Sequence, residues 1–135
     1  MIDCIFCKII KKEIPADKIY EDKNVLAFLD IMPINEGHTL VISKKHYEDF
    51  LTTDEETLKN LIIAVKKITK AVIKAVNAEG FNLVLNNKRV AGQLIPHVHF
   101  HIIPRFKRDG LKHWSGKKYK ENESKLIASK IKSFL

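Results

Sequence analysis

Long apolar runs are missing from this chain. No stretch approaches the roughly 20 residues that a membrane-spanning helix requires, which excludes a helical membrane protein. Cysteine is almost absent. Cys4 and Cys7 are the only two, too few for a disulfide framework, and their C-x-x-C spacing suggests metal or redox chemistry in a reducing compartment. The opening MIDCIFCKII has a cysteine pair and an acidic residue where a secretion signal would be basic and then apolar, so the expected location is cytoplasmic. Internal repeats and long linkers are also lacking. With 135 residues and 45% hydrophobic composition, the chain is expected to form a single domain, 1–135, around a real core. Acidic side chains are in deficit. The formal net charge of +8 implies anionic partners, phosphorylated metabolites or nucleic acid, without choosing between them.

The elements are legible in the pattern. CIFCKIIKK carries Ile5, Phe6, Ile9 and Ile10 at helical spacing. KIYED, NVLAFLD and TLVIS are β-rich runs separated by turn signals at DKN and PINEG. A long helix is predicted from Thr53, with Glu56 completing a capping-box pattern and Leu58, Leu61, Ile62, Val65, Ile68, Val72 and Val76 forming its stripe. Gly80 is its expected stop. FNLVLNN reads as a further strand, KRVAGQ as a loop, residues 105–121 as a basic loop, and the C-terminus as a helix capped by Asn122. Closely spaced strands outnumber helices, so the predicted class is α+β with an antiparallel sheet.

The densest chemistry lies in GQLIPHVHFHIIPR, residues 92–105, where His97, His99 and His101 alternate with Val98, Phe100 and Ile102. Period-two spacing puts the three imidazoles on one face of a strand and the apolar residues on the other, with Pro104 expected to end the pairing. Three readings stand. The histidines are partly exposed strand residues, or all three hold one metal, or a central nucleophile is flanked by neighbours that position it. The second is awkward: strand residues i and i+4 are roughly 13 Å apart at the Cα. The third is chemically apt, because a neutral imidazole is a competent nucleophile near pH 7.

The run HVHFHII, together with CIFCKIIKKEIPADKIYEDKNVLAFLDIMPINEGHTLVISKKH, resembles the histidine-triad (HIT) family, in its Hint-like branch, over roughly residues 3–106. The resemblance implies a five-stranded antiparallel sheet with a long central helix, and a homodimer with a continuous ten-stranded sheet. It implies a purine nucleotide substrate attacked at the α-phosphorus by His99, a nucleotidyl-histidine intermediate, and His101 and His38 beside the phosphate. Asp30 matches the family's ribose-binding carboxylate, and Asn86 an asparagine near ribose and phosphate. Gly92 and Gln93 match a pair whose backbone and side chain approach the phosphate. Ile5, Phe6, Ile9, Phe28 and Ile31 match apolar residues flanking the purine, though each also suits a plain core. Relatives of the prokaryotic type hold a structural zinc with residues matching Cys4, Cys7, His46 and His97. The alternative there is two reduced, buried thiols. No organic cofactor is implied.

The chain departs from the pattern at Leu94, where many Hint-like proteins carry a serine that helps hold the phosphate and leaving group. His113 and Trp114 resemble a His-Trp pair of animal Hint proteins, at a longer spacing from the motif. A dinucleoside polyphosphate hydrolase, or a nucleotide-binding or zinc-stabilised interaction protein with little turnover, are the competing expectations. The stretch RFKRDGLKHWSGKKYK also suits a nucleic-acid binder, but with few aromatics it reads better as a solvated basic face.

Overall fold

The structure, a computed structural model, describes residues 3–135. Its elements are α1 (Ile5–Ile10), β1 (Lys18–Glu21), β2 (Val25–Leu29), β3 (Thr39–Ser43), α2 (Glu55–Val76), β4 (Gly80–Val84), a 3₁₀ turn at Arg89–Ala91, β5 (His99–Arg105) and α3 (Glu123–Lys132). The strands form one antiparallel sheet in the order β1-β2-β3-β5-β4. This is the α+β architecture expected from the sequence.

The central strands β2 and β3 are buried on both faces, which is why they read as nearly continuous apolar runs. On one face Val25, Ala27, Val41, Val98, Phe100 and Ile102 meet Leu61, Ala64, Val65, Ile68 and Val72 of α2. On the other, Leu26, Phe28, Leu40 and Ile42 meet Cys4, Phe6 and Ile9 of the N-terminal segment. Register fixes which face carries the histidines. Leu40 pairs with His101 and Ile42 with His99, so both imidazoles lie on the face covered by α1, away from α2. The turn into β2 is held by Asp22, whose carboxylate accepts the N–H groups of Asn24 and Val25 and the hydroxyl of Tyr20.

Several local expectations are corrected. The N-cap of α2 is Asp54, which accepts the Thr57 N–H at 2.7 Å. Thr53 is buried and donates its hydroxyl to the Asp49 carbonyl at 2.6 Å, so it cannot cap. The helix ends at Asn77, in the left-handed conformation at φ 54°, whereas Gly80 opens β4. Ile62 of the predicted stripe is exposed. Pro104 does not end the pairing. It sits inside β5 opposite Phe81. β3 has already ended at its Thr39–Ile102 pair, so no neighbour there needs the N–H that proline lacks. Asn122 has φ 63° and makes no capping bond. His97 does not begin the strand: it lies in a bend two residues before β5.

Candidate active site and metal centre

The bend before β5 gives the three motif histidines different partners. His97 is fully buried. Its Nε2–H donates to the Ser43 carbonyl at 2.7 Å, which fixes the tautomer and leaves Nδ1 as a lone pair. That Nδ1 lies 3.4 Å from Cys4 Sγ, 3.6 Å from Cys7 Sγ and 3.1 Å from His46 Nδ1. His46 Nδ1 is 3.3 Å from Cys7 Sγ. The four donor atoms all lie within 4.8 Å of one another. Separations of this size are what four ligands at about 2.0–2.3 Å around one tetrahedral ion require. The donor chemistry agrees: burial and the neighbouring Cys4 push the Cys7 thiol up to about 11, so a cation would be needed to hold both sulfurs as thiolates. Cys4, Cys7, His46 and His97 therefore fit a metal ion, and the Ser43 carbonyl orients one of its imidazoles from behind.

Two residues on, His99 Nδ1–H donates to the His97 carbonyl at 2.6 Å. Its Nε2 is then the unprotonated nitrogen. Burial lowers the pKa of His99, so the ring is neutral at pH 7. The ring of Phe6 stands edge-on to it, 5.1 Å away between centroids, and fixes its plane. His101 is oriented by a different route. The backbone N–H of Ile34 donates to His38 Nδ1 at 3.1 Å, so His38 carries its proton on Nε2, and that proton faces His101 Nδ1 at 2.9 Å. His101 then holds its own proton on Nε2. Burial, then the neighbouring His99 and His38, lower His101 to about 4, and burial also lowers His38. Backbone groups thus set the tautomer of every motif histidine, two directly and one through His38.

Asp30 closes this end of the site. Its Oδ1 accepts the Met32 N–H at 2.9 Å, and its Oδ2 lies 3.6 Å from His38 Nε2. Across the cleft is the loop following β4. Gly92 has φ +93°, a conformation that L side chains rarely adopt, and a Cβ there would stand 3.5 Å from the Asn86 amide nitrogen. Gln93 is buried. Its amide nitrogen donates to the carbonyls of Glu48 and Ile95, and its oxygen accepts the Lys88 N–H. The side chain therefore braces the loop from within. Lys88 adds to the brace. It is held at φ 71°, ψ 154°, a region that is essentially glycine's and costs on the order of 1–3 kcal/mol. Its ammonium lies 2.7 Å from the buried Asp49 carboxylate. Nothing in the sequence around Lys88 signals this strain.

The apolar residues separate into two groups. Phe6 and Ile9 of α1 and Phe28 of β2 are buried in the core between the helix and the sheet, whereas Ile5 and Ile31 are exposed. Leu94 is exposed just beyond Gln93.

The HIT domain family model matches residues 11–108, well over half the chain. The chain belongs to the HIT family. An uncharacterized HIT-like protein of Methanocaldococcus jannaschii is 60% identical over 107 residues, which span 79% of this chain and 82% of that one. An adenosine 5'-monophosphoramidase of Schizosaccharomyces pombe is 45% identical over 104 residues, spanning 77% and 75% respectively. A crystal structure of a zinc-bound histidine triad family protein from Mycobacterium smegmatis superposes with a TM-score of 0.78 at 34% identity, covering 98% of both chains. HIT membership among hydrolase-named relatives supports nucleotide hydrolysis at the level of the family.

Proposed function

We propose that this HIT protein cleaves purine nucleoside 5'-phosphoramidates or related nucleotides at the α-phosphorus, through a nucleotidyl intermediate on His99. One observation carries the reading: a buried, neutral imidazole whose Nδ1–H is held by the His97 carbonyl at 2.6 Å, which frees Nε2 for attack. In the first step the Nε2–P bond forms and the bond from phosphorus to the leaving nitrogen breaks. The amine departs with a proton taken from solvent, since the imidazoles lining the site are neutral. In the second step water attacks phosphorus, the P–Nε2 bond breaks, and water's proton is released with the nucleoside monophosphate. His101 Nε2–H and the backbone around Gly92 are placed to stabilise the phosphoryl oxygens as charge builds. Asp30, with an oxygen that accepts no backbone hydrogen bond, is the proposed ribose acceptor, and Asn86 contacts ribose or phosphate. Ile5 and Ile31 present apolar surface for the purine, above Phe6, Ile9 and Phe28.

The metal proposed for Cys4, Cys7, His46 and His97 is zinc, as in the zinc-bound M. smegmatis neighbour. It supplies no chemistry to the substrate. It ties the N-terminal segment to the bend whose carbonyl orients His99. The edge strand β4, with Phe81 and Leu83 exposed beside Ile62 and Ile63 of α2, is the surface through which a homodimer would extend the sheet. No described helix is long and apolar enough to cross a membrane, and two cysteines without a disulfide suit the cytoplasm.

The decisive assay is incubation with adenosine and guanosine phosphoramidates and with dinucleoside polyphosphates, following nucleoside monophosphate release. Release from phosphoramidates supports the proposal. Release from dinucleotides alone transfers the chemistry to the dinucleotide class, and release from none contradicts the hydrolase reading.

A further inference from the structure

One short segment holds the loop that follows β4. The Glu48 carbonyl accepts the Gln93 amide at 2.7 Å, the Phe50 N–H donates to Asn87 Oδ1 at 2.8 Å, and the Asp49 carboxylate lies 2.7 Å from the Lys88 ammonium. The segment follows directly on His46, and the Tyr47 carbonyl accepts the Val98 N–H at 2.8 Å. Residues 47–50 therefore bond both to the loop that carries Asn86 and Gly92 and to the bend that orients His99.

Lys88 is the anomaly in this arrangement. Its φ of 71° and ψ of 154° suit glycine, yet both of its backbone groups are committed. Its N–H donates to Gln93 Oε1 at 2.8 Å, and its carbonyl accepts the N–H groups of Ala91 and Gln93 at 3.0 and 3.1 Å. The strain cannot relax without breaking these bonds. A glycine would adopt the same backbone at no steric cost, so what the lysine adds is its ammonium. Asp49 is 2% exposed. One of its carboxylate oxygens accepts the Thr52 N–H at 3.0 Å, and Lys88 is the cation on the other. The hydrogen bond from Lys88 is the leading cause that holds the Asp49 carboxyl below its ordinary range.

We propose that Lys88 and Asp49 are positioning residues for the nucleotide site, their ion pair latching the loop in the conformation that presents Asn86 and Gly92 to the phosphate. The inference rests on the nucleotide reading above. A charge-assisted hydrogen bond to a buried carboxylate is stronger than a neutral one, and removing its cation leaves that charge half-partnered. Neither residue touches the substrate. The latch fixes the loop before the nucleotide arrives, so binding does not carry the cost of ordering it.

Three substitutions separate charge from backbone. Lys88→Gly releases the strain and the latch, Lys88→Met keeps the strain and loses the latch, and Lys88→Arg keeps both. Each is measured for melting temperature and for amide hydrogen exchange at Ala91, Gly92 and Gln93. Affinity for adenosine monophosphate is measured by calorimetry in the His99→Ala background. Lys88→Gly should melt above Lys88→Met, yet both should exchange faster in the loop and bind about tenfold more weakly, the scale of one hydrogen bond to a charged group. Lys88→Arg should restore slow exchange and affinity, and Asp49→Asn should match Lys88→Met. A Lys88→Gly protein with unchanged exchange and affinity overturns the latch. So does an affinity that follows melting temperature across the variants, or a loss shared equally by Lys88→Arg. A protein with Lys88 intact that binds no adenosine monophosphate would count against the nucleotide reading, and exchange at residues 91–93 would then decide the latch alone.

Discussion

The carbonyl oxygen of His97 lies 2.6 Å from Nδ1 of His99, so one residue faces two ways, its imidazole towards the cysteines and its backbone towards the proposed nucleophile. His97 Nδ1 is within 3.6 Å of both sulfurs. A metal at the proposed site would hold the bend whose carbonyl sets the tautomer of His99. The two sites are joined by one peptide unit, not by a shared ligand.

That division predicts a metal phenotype. Protein purified without chelator should contain about one zinc per chain, measured by elemental analysis. Removing it should lower the melting temperature more than it lowers chemistry at His99, because the four donors converge only in the folded state. Cys4→Ser should reproduce both losses, and His99→Ala should keep the metal. A His99→Ala protein without zinc, alongside a zinc-replete Cys4→Ser protein, would reverse the assignment of the two histidines.

The tautomers are open to direct measurement. Nitrogen-15 NMR of the imidazoles at pH 7 should show His99 protonated on Nδ1, and His97 and His101 on Nε2. In His38→Phe, His101 should lose its single tautomer while His99 keeps its own, since the His38 link is specific to His101. A His101 unaffected by that substitution would remove His38 from the chain of hydrogen bonds.

Acid should destabilise the protein in a defined window. His101 is lowered to about 4 by burial and its histidine neighbours, and His38 is lowered by burial. Unfolded histidines titrate near 6.5. Above that value both states are neutral and stability is complete. Between about 6.5 and 4 the unfolded chain takes up protons that the folded chain refuses, so stability falls as the pH drops. Denaturant midpoints measured across this range should decline, and His101→Gln should flatten the decline. A profile unchanged by that substitution would show that His101 is not held neutral.

Leu94 removes a hydroxyl donor expected beside the leaving group. Its side chain is exposed and follows the buried Gln93 brace, so Leu94→Ser should not disturb the loop. We expect kcat on phosphoramidates to rise about tenfold, equivalent to about 1.4 kcal/mol of transition-state stabilisation. An unchanged or lower kcat with intact folding would show that this chain does not use a hydroxyl there.

Periodicity made the strands, the long helix and the shared face of His99 and His101 legible, because those features are local. Contacts across long sequence separations were less accessible. Which residue capped α2 turned on whether the Thr53 hydroxyl faced the helix or the Asp49 carbonyl, and that depends on tertiary packing. Pro104 looked like a strand end because its missing N–H matters only where a neighbour needs it, and β3 has stopped before that point. The bonds that hold the Gln93 amide to Lys88, Glu48 and Ile95 also had no local signature. The approach of Cys4 and Cys7 to a histidine some ninety positions away has no local signature. It came only with the resemblance to the family.

The central claim is that His99 becomes covalently nucleotidylated. Rapid mixing with an adenosine 5'-phosphoramidate, a base quench to preserve the P–N bond, and peptide mapping by mass spectrometry test it most directly. The account predicts an adenylyl adduct on the peptide containing His99, localised to that residue, and neither adduct nor turnover in a folded His99→Ala protein that still binds adenosine monophosphate. An adduct on another residue, or full turnover by His99→Ala, would contradict it.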